Sequence, residues 1–223
     1  MALWRKRPKR KKRLWGFLLI VVVAALVVSF RLVEKIGPEK KPGDRFTVKR
    51  VIDGDTVELL GGDRLRLLSV DTPEKGEKLH DEAMYLLADV AQGKPARIEF
   101  GKNRRDRYGR LLGYLYVDDT LLVNKMIVDS GMAYVYLFED ADLGRPEVKS
   151  ILNAQRGAMA RHAGLWSIKR APEPYYIATE HSFRLHRPSC KSVTDLKPGH
   201  FRRFATREEG LAEGLSPCRN CKP

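Results

Sequence analysis

Val51-Ile52-Asp53-Gly54-Asp55-Thr56-Val57 is followed by Arg66-Leu67-Leu68-Ser69-Val70-Asp71-Thr72-Pro73-Glu74. Apolar runs broken by carboxylates are not built for stability alone, because like charges at close range repel and raise each other's pKa. On an extended strand, residues two apart point to the same side, which places Asp53 and Asp55 on one face. A divalent cation removes the repulsion, and hard cations take oxygen ligands such as Asp. Asp71 and Glu74 add two carboxylates around a turn stiffened by Pro73, whose ring fixes its φ. Asp53 also has a simpler use, since an Asp side chain can order the turn that Gly54 begins.

Arg66 lies just ahead of these acids, and a second arginine closes Asp106-Arg107-Tyr108-Gly109-Arg110. Guanidiniums hold phosphate oxygens in bidentate fashion, which an ammonium cannot do. Acids and arginines gathered around a turn suit metal-assisted attack on a phosphodiester. Here the chain resembles the staphylococcal nuclease (thermonuclease) family. The residues that carry the likeness are Asp53-Gly54-Asp55-Thr56, Arg66, Val70-Asp71-Thr72-Pro73-Glu74 and Asp106-Arg107-Tyr108-Gly109-Arg110. Val123-Asn124, Gly131-Met132-Ala133 and Leu165-Trp166 extend it, so that it runs from Phe46 to Trp166.

The resemblance implies a nuclease domain at residues 46–168 with a five-stranded OB-fold barrel. It implies that Asp55, Asp71 and the Thr72 carbonyl are calcium ligands and that Glu74 is the base for water. Arg66 and Arg110 would grip the phosphate, and Tyr108 would contact the nucleotide. The implied activity is calcium-dependent, sugar-nonspecific hydrolysis of DNA and RNA at the 5′ P–O bond, leaving 3′-phosphate ends. Tyr134 and Tyr136 are either nucleotide contacts or packing residues. The rival reading is a non-catalytic nucleic-acid-binding OB-fold module. Glu74 and both arginines favour the enzyme.

The hydrophobic pattern predicts strands over Phe46–Ile52, Thr56–Leu60 and Arg64–Val70, with Gly61-Gly62-Asp63 as a hairpin turn. Two more follow at Arg97–Phe100 and Leu111–Val117. Helices are expected over His80–Gln92, with Ala83, Leu86, Leu87 and Val90 on one face, over Leu122–Ser130, and over Pro146–His162. In the last, proline stands in the first turn and Val148, Ile151, Leu152, Ala158 and Met159 form the buried stripe. Five strands with helices on them suit the same fold class, mainly β with helices around an OB barrel.

The net charge of +14 is unevenly spread. Residues 5–13 hold eight bases and no acid, and residues 167–223 hold eleven bases against six acids. Residues 44–166 hold nineteen bases against twenty acids, so the expected catalytic part is not a basic surface that coats nucleic acid. Its phosphate affinity has to come from a few placed arginines and a cation. Leu14–Phe30 is seventeen residues without a charge, at the short end of what spans a bilayer, about 17–25 residues. Residues 1–13 then read as a cytoplasmic basic segment, 14–30 as a transmembrane anchor and 31–45 as a linker. The basic block keeps the N-terminus inside and sends the rest across the cell membrane. A cleaved signal peptide is the alternative, giving a secreted protein.

Residues 169–175 read as a second linker, leading to a small module at 176–223. All three cysteines fall there, in His186-x₃-Cys190 and Cys218-x₂-Cys221, a spacing that suits Cys₃His zinc. This stretch resembles the small metal-binding module of Ada, through His186-Arg187-Pro188-Ser189-Cys190, Glu208-Glu209-Gly210 and Pro217-Cys218-Arg219-Asn220-Cys221. A disulfide with one free cysteine is the alternative in an oxidising compartment, and His181 is an alternative ligand to His186. No protein partner is identifiable from the residues.

Overall fold

The structure, a computed structural model, describes residues 21–25, 45–138, 140–180, 182–193 and 200–223. The chain divides into two units, Met1–Lys41 and Pro42–Pro223. In the first, residues 21–25 are helical and exposed. Among the described residues no helix is long and apolar enough to cross a membrane. The basic segment 1–13, the remainder of the apolar stretch 14–30, the linker apart from Arg45, and His181 all lie outside the described residues.

The second unit begins with β1 (Arg45–Asp53) and β2 (Thr56–Leu59), antiparallel strands in which Asp53 faces Thr56. Gly54 and Asp55 are thus the two-residue turn of a hairpin. This corrects the expectation that Asp53 and Asp55 share one face of an extended strand. The chain reverses between them, leaving Asp53 half-buried and Asp55 buried. β3 (Arg64–Leu67) pairs antiparallel with β2. β5 (Pro95–Arg105) lies antiparallel to both β1 and β6 (Leu111–Val117). The short β7 (Leu121–Leu122) extends the far edge. β3 and β6 also pair, in parallel, with Arg66 opposite Leu112, so the hydrogen bonding runs through five strands and returns to its start. Val48, Val57, Leu65, Leu67, Ile98, Leu111 and Leu115 fill the space that results, all at most 2% exposed.

The predicted strand Arg64–Val70 is broken. Ser69 takes a left-handed φ of 61°, and Val70–Asp71 becomes β4, which pairs with β8 (Tyr134–Val135) in a separate sheet. Asn124, at the start of α2 (Val123–Asp129), secures this break. Its Oδ1 accepts from Leu115 N at 2.9 Å, and its Nδ2 donates to Leu68 O at 2.8 Å. Asn124→Leu keeps the branching at Cγ but strands both backbone groups, so unfolding stability should fall by about 1–3 kcal/mol, measurable by urea denaturation.

α1 (His80–Ala91) lies against β1 and buries Ala83, Leu87 and Ala91 at helical spacing. α3 (Pro146–Ala160) packs on α2 and buries Val148, Ile151, Leu152 and Ala158, as its periodicity predicts. A second core joins Tyr134, Ala158, Leu165 and Trp166 to Tyr176, Ala178, Leu185, Phe204, Leu211 and Leu215. The C-terminal segment is therefore packed on the first part of the same unit. It consists of β9 (Tyr176–Thr179) against β11 (Phe201–Phe204), β10 (Arg184–Leu185) against β12 (Ser216–Pro217), and α4 (Arg207–Ala212). The fully buried Gln155 of α3 bridges the two parts. Its Oε1 accepts from Val135 N at 2.7 Å and its Nε2 donates to Leu211 O at 2.6 Å.

Candidate active site and metal centre

The hairpin turn brings Asp55 to the loop after β4. Gly54 makes this approach possible, because a Cβ there would lie 2.8 Å from Thr72 Oγ1 and 3.0 Å from the Ala83 methyl. Asp55 Oδ2 accepts from Thr72 N at 3.4 Å and from Thr72 Oγ1 at 3.3 Å, and Asp55 Oδ1 accepts from Thr56 Oγ1 at 2.9 Å. Arg66 reaches in from β3. Its Nη2 lies 2.8 Å from Asp55 Oδ2 and 3.5 Å from Asp71 Oδ1. Its Nη1 donates to Leu67 O at 2.7 Å and Val70 O at 2.9 Å. The break at Ser69 turns the Val70 carbonyl toward that guanidinium and carries Asp71 to it. Asp55, Asp71, Thr72 and Arg66 therefore meet at one point. Burial pushes the Asp71 carboxyl above its usual range, against the downward pull of the Arg219 and Arg66 guanidiniums.

Glu74 sits on the same loop at the solvent edge, with its side chain 58% exposed. Its backbone N–H donates to Glu77 Oε2 at 3.0 Å, which holds the turn. His80 anchors the loop to α1 by a 2.9 Å hydrogen bond between Nδ1 and Pro73 O. Asp53 orders the turn, accepting from Gly54 N at 2.7 Å.

Arg110 and Tyr108 lie in the loop entering β6. Arg110 Nε donates to Asp106 Oδ2 at 2.8 Å, and no ion pair joins it to Asp55, Asp71 or Glu74 among the described residues. Burial alone would raise the Asp106 carboxyl; Arg110 and the backbone N–H groups of Arg110 and Tyr108 hold it below its usual range. Tyr108 is 68% exposed, with Arg107 Nη2 donating to its hydroxyl at 2.7 Å and the Arg107 guanidinium 4.8 Å from its ring centroid. Tyr134 is buried edge-on to Trp166, and its hydroxyl accepts from Arg207 Nη2 at 2.9 Å, so it is a packing residue. Tyr136 stacks under Arg184, 3.7 Å from ring centroid to guanidinium carbon.

In the C-terminal segment, one ligand atom each from His186, Cys190, Cys218 and Cys221 lies within 4.8 Å of the others. The three cysteines are free. His186 Nδ1 is buried without a hydrogen-bond partner, the kind of orphan that a metal bond satisfies. Burial, helped by the Arg184 cation, holds His186 below the usual imidazole range, so the ring is neutral and able to ligate. Burial pushes the Cys221 thiol up to about 12, a cost of ionisation that a bound cation removes. Three sulfurs and a nitrogen in a closed cluster fit tetrahedral zinc. The oxygen donors of Asp55, Asp71 and Thr72 fit calcium.

Arg219 escaped the sequence reading as a participant. Held between Cys218 and Cys221, it places Nη2 2.7 Å from Asp71 Oδ1 and 3.1 Å from Glu74 Oε1. Lys222, the next basic residue, pairs with Glu77. Arg219 and Asp71 stand 148 positions apart. The one local hint is chemical: a residue between two cysteines that share a metal points its side chain outward.

Residues 64–168 match the family model described as Staphylococcal nuclease homologue. An uncharacterized endonuclease of Escherichia coli O157:H7 is 34% identical over 123 residues, covering 54% of this chain and 75% of that protein. The micrococcal nuclease of Shigella flexneri is 32% identical over 142 residues, 59% of this chain and 78% of its own length. The thermonuclease of Staphylococcus hyicus is 30% identical over 175 residues, 70% of this chain and 99% of its own. The stretch matched by the family model takes in Arg66, Asp71, Glu74 and Arg110, and the chain belongs to the staphylococcal nuclease homologue family.

Proposed function

We propose that this protein is a membrane-tethered, calcium-dependent nuclease that hydrolyses DNA and RNA without sugar specificity. The observation that carries the chemistry is the meeting of Asp55, Asp71 and Arg66, with Nη2 of the arginine 2.8 Å from one carboxylate and 3.5 Å from the other. The similarity to a thermonuclease, a micrococcal nuclease and an endonuclease supports the same reaction. In this reading the strands that close through β3 and β6 are the OB barrel, and residues 46–168 are its nuclease domain.

Asp55, Asp71 and the Thr72 carbonyl would hold the calcium. Such a cation would supply Lewis-acid polarisation of the phosphodiester and make the attacking water easier to deprotonate. Glu74, at the open edge of the site, takes the proton of the attacking water. Arg66, its plane fixed by two carbonyls, has its Nε–H left to donate to a non-bridging oxygen, and Arg110 approaches from its own loop to hold another. Tyr108 lies exposed beside Arg110 for a base or sugar to rest on. The test is digestion of single- and double-stranded DNA and RNA by the full chain in detergent, across a calcium titration and with chelator. Calcium-dependent products bearing 3′-phosphate ends are expected. Full activity in chelator overturns the calcium reading, and no cleavage under any condition returns the barrel to nucleic-acid binding without chemistry.

The His186, Cys190, Cys218 and Cys221 cluster would be a structural zinc site in an Ada-like module at 176–223. About one zinc per chain is expected by elemental analysis. Cys218→Ser should lose the zinc, and an intact disulfide between two of these cysteines in the metal-free protein would overturn the assignment. Residues 14–30 would be the anchor, leaving the nuclease outside the cytoplasmic membrane. Protease added to intact spheroplasts should then remove the nuclease domain, and its protection would reverse the orientation.

A further inference from the structure

The two cation centres of this protein are joined by one side chain. Arg219 is held on both sides by ligand cysteines and lies 2.7 Å from Asp71 Oδ1 and 3.1 Å from Glu74 Oε1. We propose that Arg219 sets the calcium requirement of the nuclease by competing with the cation for Asp71. The inference rests on the reading that Asp71 is a calcium ligand.

Asp71 Oδ1 is shared by two guanidiniums, Arg66 at 3.5 Å and Arg219 at 2.7 Å. Calcium approaches its oxygens to about 2.3–2.6 Å. A divalent charge on Asp71 would sit beside the Arg219 cation, and at a few ångströms two such charges repel strongly. Arg66 has other anchors, the Leu67 and Val70 carbonyls and Asp55, and can stay when a cation arrives. Among the described residues Arg219 has only carboxylates here, Asp71 and Glu74, and its side chain is 59% exposed, so it can swing into solvent. Entry of calcium therefore costs the Arg219 contacts first. Their loss also releases Glu74 for its work on water.

The docking is not a single chance contact. Lys222, one residue past Cys221, pairs with Glu77 on the same loop. The two bases of the Cys218–Lys222 turn thus meet the acids of the Asp71–Glu77 segment, and the turn is aimed by the cysteine cluster. Freeing that turn by removing its metal should act on calcium in the same direction as removing Arg219.

The experiment is calorimetric titration of calcium, without nucleic acid, into the full chain in detergent. It compares the native protein, Arg219→Ala, Cys218→Ser and Asp71→Asn. Arg219→Ala should bind calcium roughly three- to tenfold more tightly, the scale of a charge-assisted contact weakened by solvent exposure. Cys218→Ser, stripped of zinc, should shift the same way, and Arg219→Lys should fall between Arg219→Ala and the native protein. Equal or weaker binding by Arg219→Ala, with native binding still abolished by Asp71→Asn, overturns this inference and leaves the calcium site standing. Failure of calcium to bind the native protein and Arg219→Ala alike overturns the calcium reading and this inference together. Because Arg219 is at the surface, thermal melting of the alanine variant should match the native protein, and a lowered melt would identify a structural role instead.

Discussion

Glu74→Gln should slow DNA hydrolysis on the order of 10²–10⁴-fold, the usual contribution of a placed general base, with calcium binding retained. The distinction follows from position. Asp55 and Asp71 are buried and hold the site together, whereas the Glu74 side chain is 58% exposed at its edge. A glutamine fits the same loop and can still accept from Arg219, so structure is preserved while basicity is lost. Single-turnover cleavage of a defined single-stranded DNA at saturating calcium gives the rate, and calorimetry gives the calcium affinity. A Glu74→Gln protein with native turnover would remove Glu74 from the mechanism. Loss of calcium binding in that variant would make it a ligand instead.

Arg66→Lys should cost roughly 10²-fold in turnover, on the scale of losing one transition-state donor, although the charge is kept. Arg66 is 15% exposed and uses separate nitrogens for separate tasks, Nη1 on two carbonyls and Nη2 between two carboxylates. An ammonium has one nitrogen and cannot span that fork. Some backbone or carboxylate oxygen is then left short of a donor inside the protein, so the same variant should lose about 1–3 kcal/mol of stability. Arg110→Ala makes a useful contrast, because Arg110 faces Asp106 in a more open loop. Its activity loss should come without a matching loss of stability. A fully active Arg66→Lys enzyme would mean that charge alone suffices at this position.

What the sequence made legible was local. Alternation marked β1, β2, β3 and β6, and the spacing of Ala83 and Leu87 or of Val148, Ile151 and Leu152 marked two helices. The family motif named Asp55, Asp71, Arg66 and Glu74 together, and the fold brings Asp55, Asp71 and Arg66 to one point. Where reading failed, a long-range contact had decided the outcome. Nothing local tells a strand to stop at Leu67. Ser69 turns because β8 and Asn124 hold the chain beyond it. β5 reaches Arg105 because, past a bulge after Phe100, β6 offers a partner again, with Arg105 opposite Leu111. Tyr134 is buried beside Trp166 and under Arg207, and the arginine joins it only after the C-terminal segment has packed. Arg219 is the extreme case, since its place depends on the docking of that whole segment.

The Gln155 bridge bears on where this chain can be cut. The match to the family model stops at residue 168, which invites trimming the protein there. The interior does not stop there. A chain ending at that point would uncover Tyr134, Ala158, Leu165 and Trp166, and would leave the Val135–Gln155 arrangement without its partner at Leu211. Tolerance of truncation follows burial and hydrogen bonding rather than position along the chain. The shortened protein should be sticky, prone to self-association and poorly soluble. During synthesis the same surface stays open until residues 176–215 have left the ribosome, so this second core closes after the first.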